Sequence, residues 1–255
     1  MEAGNFPPRM DILDSKLDPI VGDYHSAFVE NPRREELLEA RDVALVCIDV
    51  QYLDAAPGYG VFRHLDPEAE LPESEKYYFE RLNQVVLPNM AYLQQMFRSA
   101  RLEVMHCRIC ALTQDGRDRS AGHKRLKLLA TPGSKEAEFM PQVAPKDDEI
   151  VLDKTASGVF SSTNFHYVLR NLGVRLLYLT GVYTNECVET AARDACDLGY
   201  FVTVVDDACA TVTPRLHESS LHCLRDRYAR IATTEEVIEE MKDIPLLRRR
   251  LASSA

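Results

Sequence analysis

Three residues far apart in the chain carry side chains suited to acyl transfer: Asp49, Lys154 and Cys187. A cysteine thiol attacks a carbonyl carbon once a base takes its proton, and a carboxylate such as Asp49 can be that base. An ammonium such as Lys154 steadies a carboxylate and a thiolate beside it by charge. A free cysteine is by itself weak evidence, because most are small buried hydrophobes. Cys187 differs by position. It follows an apolar run and a tight turn, where the unpaired N–H groups and dipole of a starting helix are expected to favour a thiolate. N–H groups of the same turn can receive an oxyanion.

The elements that position these residues are legible around Cys187. Residues 174–211 (VRLLYLTGVYTNECVETAARDACDLGYFVTVVDDACAT) read as strand, turn, helix, glycine stop and strand. Residues 175–180 and 201–205 are apolar runs of strand length, and Val188, Ala191, Ala192, Ala195 and Cys196 recur at helical spacing between them, up to Gly199. Two buried strands around one helix form a βαβ unit and imply a parallel sheet. Residues 44–50 (ALVCIDV) form another strand, apolar enough to be buried on both faces and closed by Asp49, an expensive place for a carboxylate unless it is solvated, paired or protonated. A third short strand, over residues 147–152, ends in Asp153-Lys154. In a parallel sheet the three ends share one edge, where open α/β folds place their sites.

Elsewhere, residues 1–40 read as a polar N-terminal arm, with a short helix over 32–40, lying on the domain or on a neighbouring subunit. Residues 41–245 form one domain. Residues 54–75 read as a long loop, in which Tyr59, Phe62, Arg63 and His64 either cover a pocket or pack on the surface. A helix over 76–99 contains Pro88, which is expected to kink or divide it. A strand over 102–108 follows, then a polar, solvent-facing excursion over 113–139. Thr163 is placed to cap a helix that Gly173 ends. A helix over 218–224, an edge strand over 230–233 and a helix over 234–241, with a Thr233/Glu236 capping box, complete the pattern.

Bulk properties narrow the function. The chain has 255 residues, 45 % hydrophobic and 27 % charged, as in an ordinary soluble domain. A net charge of −10 argues against nucleic acid or an anionic membrane as partner. The N-terminus lacks a signal-peptide pattern and no apolar run reaches membrane-spanning length. Seven cysteines, an odd number set within strands and helices, suggest reduced thiols and a cytoplasmic protein. Cys107 and Cys110 form a C-x-x-C with no second pair at zinc spacing, so neither a metal nor another cofactor is expected.

The segments ALVCIDVQ, VLDKTASGVFSST and LTGVYTNECVETAARDA resemble the isochorismatase-like cysteine hydrolases, and the resemblance runs over residues 42–240. It implies an α/β fold, a Rossmann-like three-layer sandwich with a mostly parallel six-stranded sheet. Asp49 would be the general base, Lys154 the charge-stabilising residue and Cys187 the nucleophile. A cis peptide would lie between Val182 and Tyr183, turning the N–H groups of Tyr183 and Cys187 toward an oxyanion. Family members form dimers and tetramers, which implies a homo-oligomer. Nicotinamidase relatives bind zinc through an Asp-x-His motif, and His106-Cys107-Arg108 stands here instead. Cys187 favours C–N hydrolysis over vinyl-ether cleavage. The expected substrate is a short linear ureide or carbamoyl compound of the ureidoacrylate, N-carbamoylsarcosine, biuret or triuret kind, contacted by Gln51 and Arg108 and walled by Phe160. Another small amide, nicotinamide-like or maleamate-like, and a non-catalytic interaction module on the same fold are the alternatives.

Overall fold

Val43–Ile48 is apolar at every position and becomes the central strand, β1, buried throughout. The computed structural model describes residues 21–242, so the first twenty residues of the expected arm and the last three of the expected domain lie outside it. Helices α1 (Val21–Phe28) and α2 (Pro32–Ala40) precede β1. Helices α3 (Tyr52–Ala55), α4 (Glu73–Arg81) and α5 (Leu87–Ala100) lead to β2 (Glu103–Ile109). Next come α6 (Ala121–Arg125), β3 (Val151–Lys154), α7 (Val159–Ser162), α8 (Phe165–Asn171) and β4 (Leu176–Val182). The described chain closes with α9 (Glu189–Asp197), β5 (Phe201–Ala210), α10 (Pro214–Leu224), β6 (Arg230–Ala232) and α11 (Thr234–Lys242).

The six strands run in the order β3-β2-β1-β4-β5-β6, and every neighbouring pair is parallel. The order reverses between β1 and β4. A crevice therefore opens outside their C-terminal ends, where the chains leave in opposite directions. Strand periodicity divides the core in two. Val43, Leu45 and Cys47 face α2, α5 and α11, whereas Ala44, Val46 and Ile48 face α8, α9 and the C-terminal part of α10. The result is the α/β three-layer sandwich that the sequence implies. Among the described residues no helix is long and apolar enough to cross a membrane.

Local chemistry explains where the elements differ from expectation. The helix over 76–99 begins earlier, at Glu73, and passes through a π turn, Leu82–Val86, before α5. Pro88 has no N–H for the usual bond four residues back, and the wider turn just before it lets the helix continue without a break. The loop over 54–75 is partly ordered as α3 and a 3-10 turn, Gly60–Phe62, with Leu53, Phe62 and Leu65 buried. The excursion over 113–139 is not wholly solvent-facing, because His123, Leu128, Ala130 and Ala137 are buried. Strand β5 outruns its expected end at Val205 by five residues, to Ala210, where Arg81 donates to the Asp206 and Cys209 carbonyls. Helix α2, capped by the Asn31 side chain on the Arg33 N–H, packs Leu37 and Leu38 on the sheet. Its Arg34 pairs with Glu240 at 3.0 Å.

Gly181 lies in β4 directly against the end of β1. Its φ is +117°, and a side chain there would collide with the Ile48 carbonyl. Gly181→Ala is therefore expected to lower unfolding stability by more than about 3 kcal/mol, read from the urea midpoint.

Candidate active site

Asp49 is the first residue past β1 and adopts a left-handed backbone, φ +54°. Its N–H donates to the Cys107 carbonyl at 2.9 Å, and its own carbonyl accepts from Gln51 N–H at 2.8 Å. This tight turn sets the carboxylate above the sheet edge. Cys187 lies in a five-residue π turn, Thr184–Val188, between β4 and α9. Lys154 ends β3, two strands from β1, a gap of about 10 Å that only a long side chain spans. Its Nζ lies 2.8 Å from Asp49 Oδ2 and 3.4 Å from Cys187 Sγ, and donates to the Ala156 carbonyl at 3.1 Å. The ammonium is fully buried.

Burial and charge both act on the protonation of this trio. Burial works against the Lys154 charge, but Asp49 and the nearby sulfurs of Cys187 and Cys107 together outweigh it and the pKa is raised. Burial also raises Asp49, with Lys154 pulling it back. Cys187 is pushed well above the ordinary thiol value, by burial first and the Asp49 carboxylate second. Burial thus opposes ionisation of the Cys187 thiol, while the Lys154 charge is held by its pairing with Asp49. The surroundings work against the expected helix-stabilised thiolate: the sulfur sits in the π turn before α9, 4 % exposed and beside a carboxylate. Lys154 pairs with Asp49 Oδ2 and the Cys187 thiol faces the same carboxylate, which therefore stands where it can take the thiol proton.

A cavity of about 270 Å³ opens over Asp49 and Cys187. Val61, Phe62, Ile109, Leu128, Val182 and Tyr183 give it apolar walls, with the exposed Leu126 and Val212 at its rim. The Val182–Tyr183 peptide is cis. Among the described residues no group of three or more His, Cys, Asp or Glu is placed to hold a metal ion.

Residues 43–236 match the isochorismatase domain. The chain belongs to the isochorismatase family. An uncharacterized family protein of Bacillus subtilis, YwoC, is 35 % identical over 106 residues, 42 % of this chain and 56 % of the relative. Ureidoacrylate amidohydrolase RutB of Acinetobacter baylyi is 33 % identical over 113 residues, 44 % of this chain and 46 % of that protein. The matches span about half the length of these relatives. The crystal structure of an isochorismatase family protein from Desulfovibrio vulgaris superposes with a TM-score of 0.65 at 28 % identity, covering 78 % of this chain and 97 % of that one.

Within this isochorismatase-family site, three residues expected at the substrate are elsewhere. Gln51 is completely buried, and its amide is used on backbone: Oε1 accepts from Ile109 N–H at 2.7 Å, while Nε2 donates to the carbonyls of Ile109 at 2.9 Å and Glu136 at 2.8 Å. It staples the 135–137 turn to the end of β2. Arg108 pairs with Asp153 at 2.6 Å and donates to the Ala137 carbonyl at 2.8 Å, outside the cavity lining. Phe160 packs on Phe165 and Tyr200, in the core layer on one face of the sheet. Of the expected lid residues Phe62 lines the cavity, whereas Arg63 and His64 are exposed. Cys107 and Cys110 are free and buried in separate apolar clusters, and His106 bonds Glu149 at 3.0 Å.

Sequence reasoning missed Asp54, Glu186 and His123, all of which line the cavity. Asp54 had one signal, its apolar setting in Leu53-Asp54-Ala55-Ala56. Burial, with the charges of Lys154 and Arg119, pushes His123 down to about 4, so it is neutral.

Removing one partner of a buried ion pair leaves the other uncompensated. Lys154→Met is expected to cost about 3–5 kcal/mol of stability at pH 8. The loss should shrink as the pH falls and Asp49 takes up a proton in the folded variant. Urea unfolding at pH 8 and pH 5 measures both terms.

Proposed function

We propose that the protein is a cysteine amidohydrolase cleaving a C–N bond of a small linear ureide or carbamoyl compound through a thioester. The observation that carries this reading is the contact of one buried ammonium with both a carboxylate and a thiol, at 2.8 Å and 3.4 Å, beside a cavity. The relative from Acinetobacter baylyi, named as a ureidoacrylate amidohydrolase, supports the same bond type.

Each step follows from these contacts. Cys187 Sγ attacks the substrate carbonyl carbon as its proton passes to Asp49. The carbonyl electrons move to oxygen, and the N–H groups of Tyr183 and Cys187 receive the oxyanion. Lys154 stays charged and offsets the negative charge as it moves between sulfur and carboxylate. The oxyanion collapses, the C–N bond breaks, and Asp49 gives its proton to the departing nitrogen, releasing ammonia or an amine. Water then yields a proton to Asp49 and adds to the thioester. Sulfur leaves, recovers that proton, and the acid departs.

Ammonia release from a panel of ureides and amides tests the reading. Cys187→Ser is expected to lower the rate by at least about a thousandfold. Intact-protein mass spectrometry of the wild type, quenched during turnover, should find the acyl group on the peptide containing Cys187. Activity surviving in the Ser variant would sink the proposal. The base must be ionised and its pKa is raised by burial, so kcat/KM should fall on the acid side at a pH above the ordinary carboxyl value of 3.8. A pH–rate profile checks this.

A further inference from the structure

The acyl-transfer steps leave two carboxyls of the cavity unused, Asp54 and Glu186, and Asp54 is the more deeply buried. Asp54 is 2 % exposed and lines the cavity, and its Oδ2 has no hydrogen-bond partner. Its backbone is held from three sides. The N–H donates to the Gln51 carbonyl at 3.1 Å, and the carbonyl accepts from the hydroxyls of Tyr78 at 2.6 Å and Tyr183 at 3.1 Å. An anchored backbone beneath an unsatisfied buried oxygen is the arrangement of a group that waits for a ligand, since such an atom otherwise costs stability.

Building on the amidohydrolase reading, we propose that Asp54 is a specificity-determining residue that binds the distal amide end of an uncharged substrate. The site then takes small diamides and neutral ureides and rejects their carboxylate counterparts.

Charge supports the rejection. Asp49, Asp54 and Glu186 all line the cavity, and none of its lining residues is a lysine or arginine. The nearest ammonium, Lys154, is already paired with Asp49. The guanidinium of Arg108, which the sequence offered as a counter-ion, is taken by Asp153 and the Ala137 carbonyl. His123 is neutral. A substrate carboxylate would be buried near the Asp49 carboxylate without a cation of its own.

Hydrogen-bonding capacity supports the acceptance. Burial, and then the neighbouring Asp49 charge, hold the Asp54 carboxyl well above its ordinary pKa. A protonated carboxyl offers one O–H donor and one carbonyl acceptor side by side. A primary amide offers the reverse pair, so the two groups close a doubly hydrogen-bonded ring. A carboxylate can accept the O–H but has no donor to return, so it closes only one of the two bonds.

Calorimetric titration of the Cys187→Ala protein separates binding from chemistry. The ligand pairs are succinamide with succinamate, and ureidoacrylamide with ureidoacrylate. The uncharged member of each pair should bind at least about tenfold tighter. Asp54→Leu in the same background should weaken it by about tenfold or more and erase the preference, and Asp54→Asn, which keeps a donor and an acceptor, should retain it within about threefold. Equal or tighter binding of the acids, binding of neither member, or an unchanged preference in Asp54→Leu would overturn the assignment. Ammonia release by the wild type on the same pairs reports the chemistry separately. Selective binding without hydrolysis would sink the thioester proposal and leave the Asp54 assignment standing.

Discussion

The contact between the Lys154 ammonium and the Asp49 carboxylate, 2.8 Å apart and shut away from water, is the constraint around which the rest of the site is arranged. Desolvating two ions costs several kcal/mol each, and their attraction repays this only with good geometry. An apolar pair of the same size would serve the core at least as well. The ammonium is useful because it also reaches the Cys187 sulfur at 3.4 Å. One ammonium then stands against both the carboxylate and the sulfur, so negative charge on either has a partner within reach.

The sheet topology makes that contact possible. With β1 and β4 adjacent and their connections leaving in opposite directions, Asp49 and Cys187 emerge side by side at the crevice. Gly181 brings the two strands close where no side chain fits, just before the turn that carries Cys187. Lys154 comes from outside this pair, on the edge strand β3, and its length does what adjacency does for the other two. The Gln51 amide ties the next layer together by bonding β2 and the 135–137 turn at once. A polar side chain close to the reacting groups thus supports the wall of the cavity and does not touch what enters it.

Much of this was legible in the sequence. The β1 and β4 runs, the glycine stop at Gly199, the exact span of α2 and the Thr233/Glu236 capping box follow from local patterns of apolar spacing and capping, and they stand in the structure. The resemblance carried the family and the six-stranded parallel sheet, since motif order along the chain constrains strand order. The π turn at Leu82–Val86 was not legible, because its cause is a backbone adjustment around Pro88 with no hydrophobic period of its own.

Side-chain destinations were a different matter. Arg108 and Gln51 have the chemistry of substrate ligands and lie close to the motifs, yet neighbours brought by other elements, Asp153 for one and the Ile109 and Glu136 backbone for the other, claim them first. Asp54 has no such neighbour on its Oδ2, and that difference is invisible in a string of letters. The sequence by itself determined the strands, the family and the three residue types able to carry the chemistry, because these depend on local periodicity and motif order. Tertiary structure alone decided which polar groups are already satisfied, which face the cavity, and that burial and a neighbouring carboxylate oppose ionisation of the sulfur, because hydrogen-bond saturation and desolvation depend on what the fold packs around each atom.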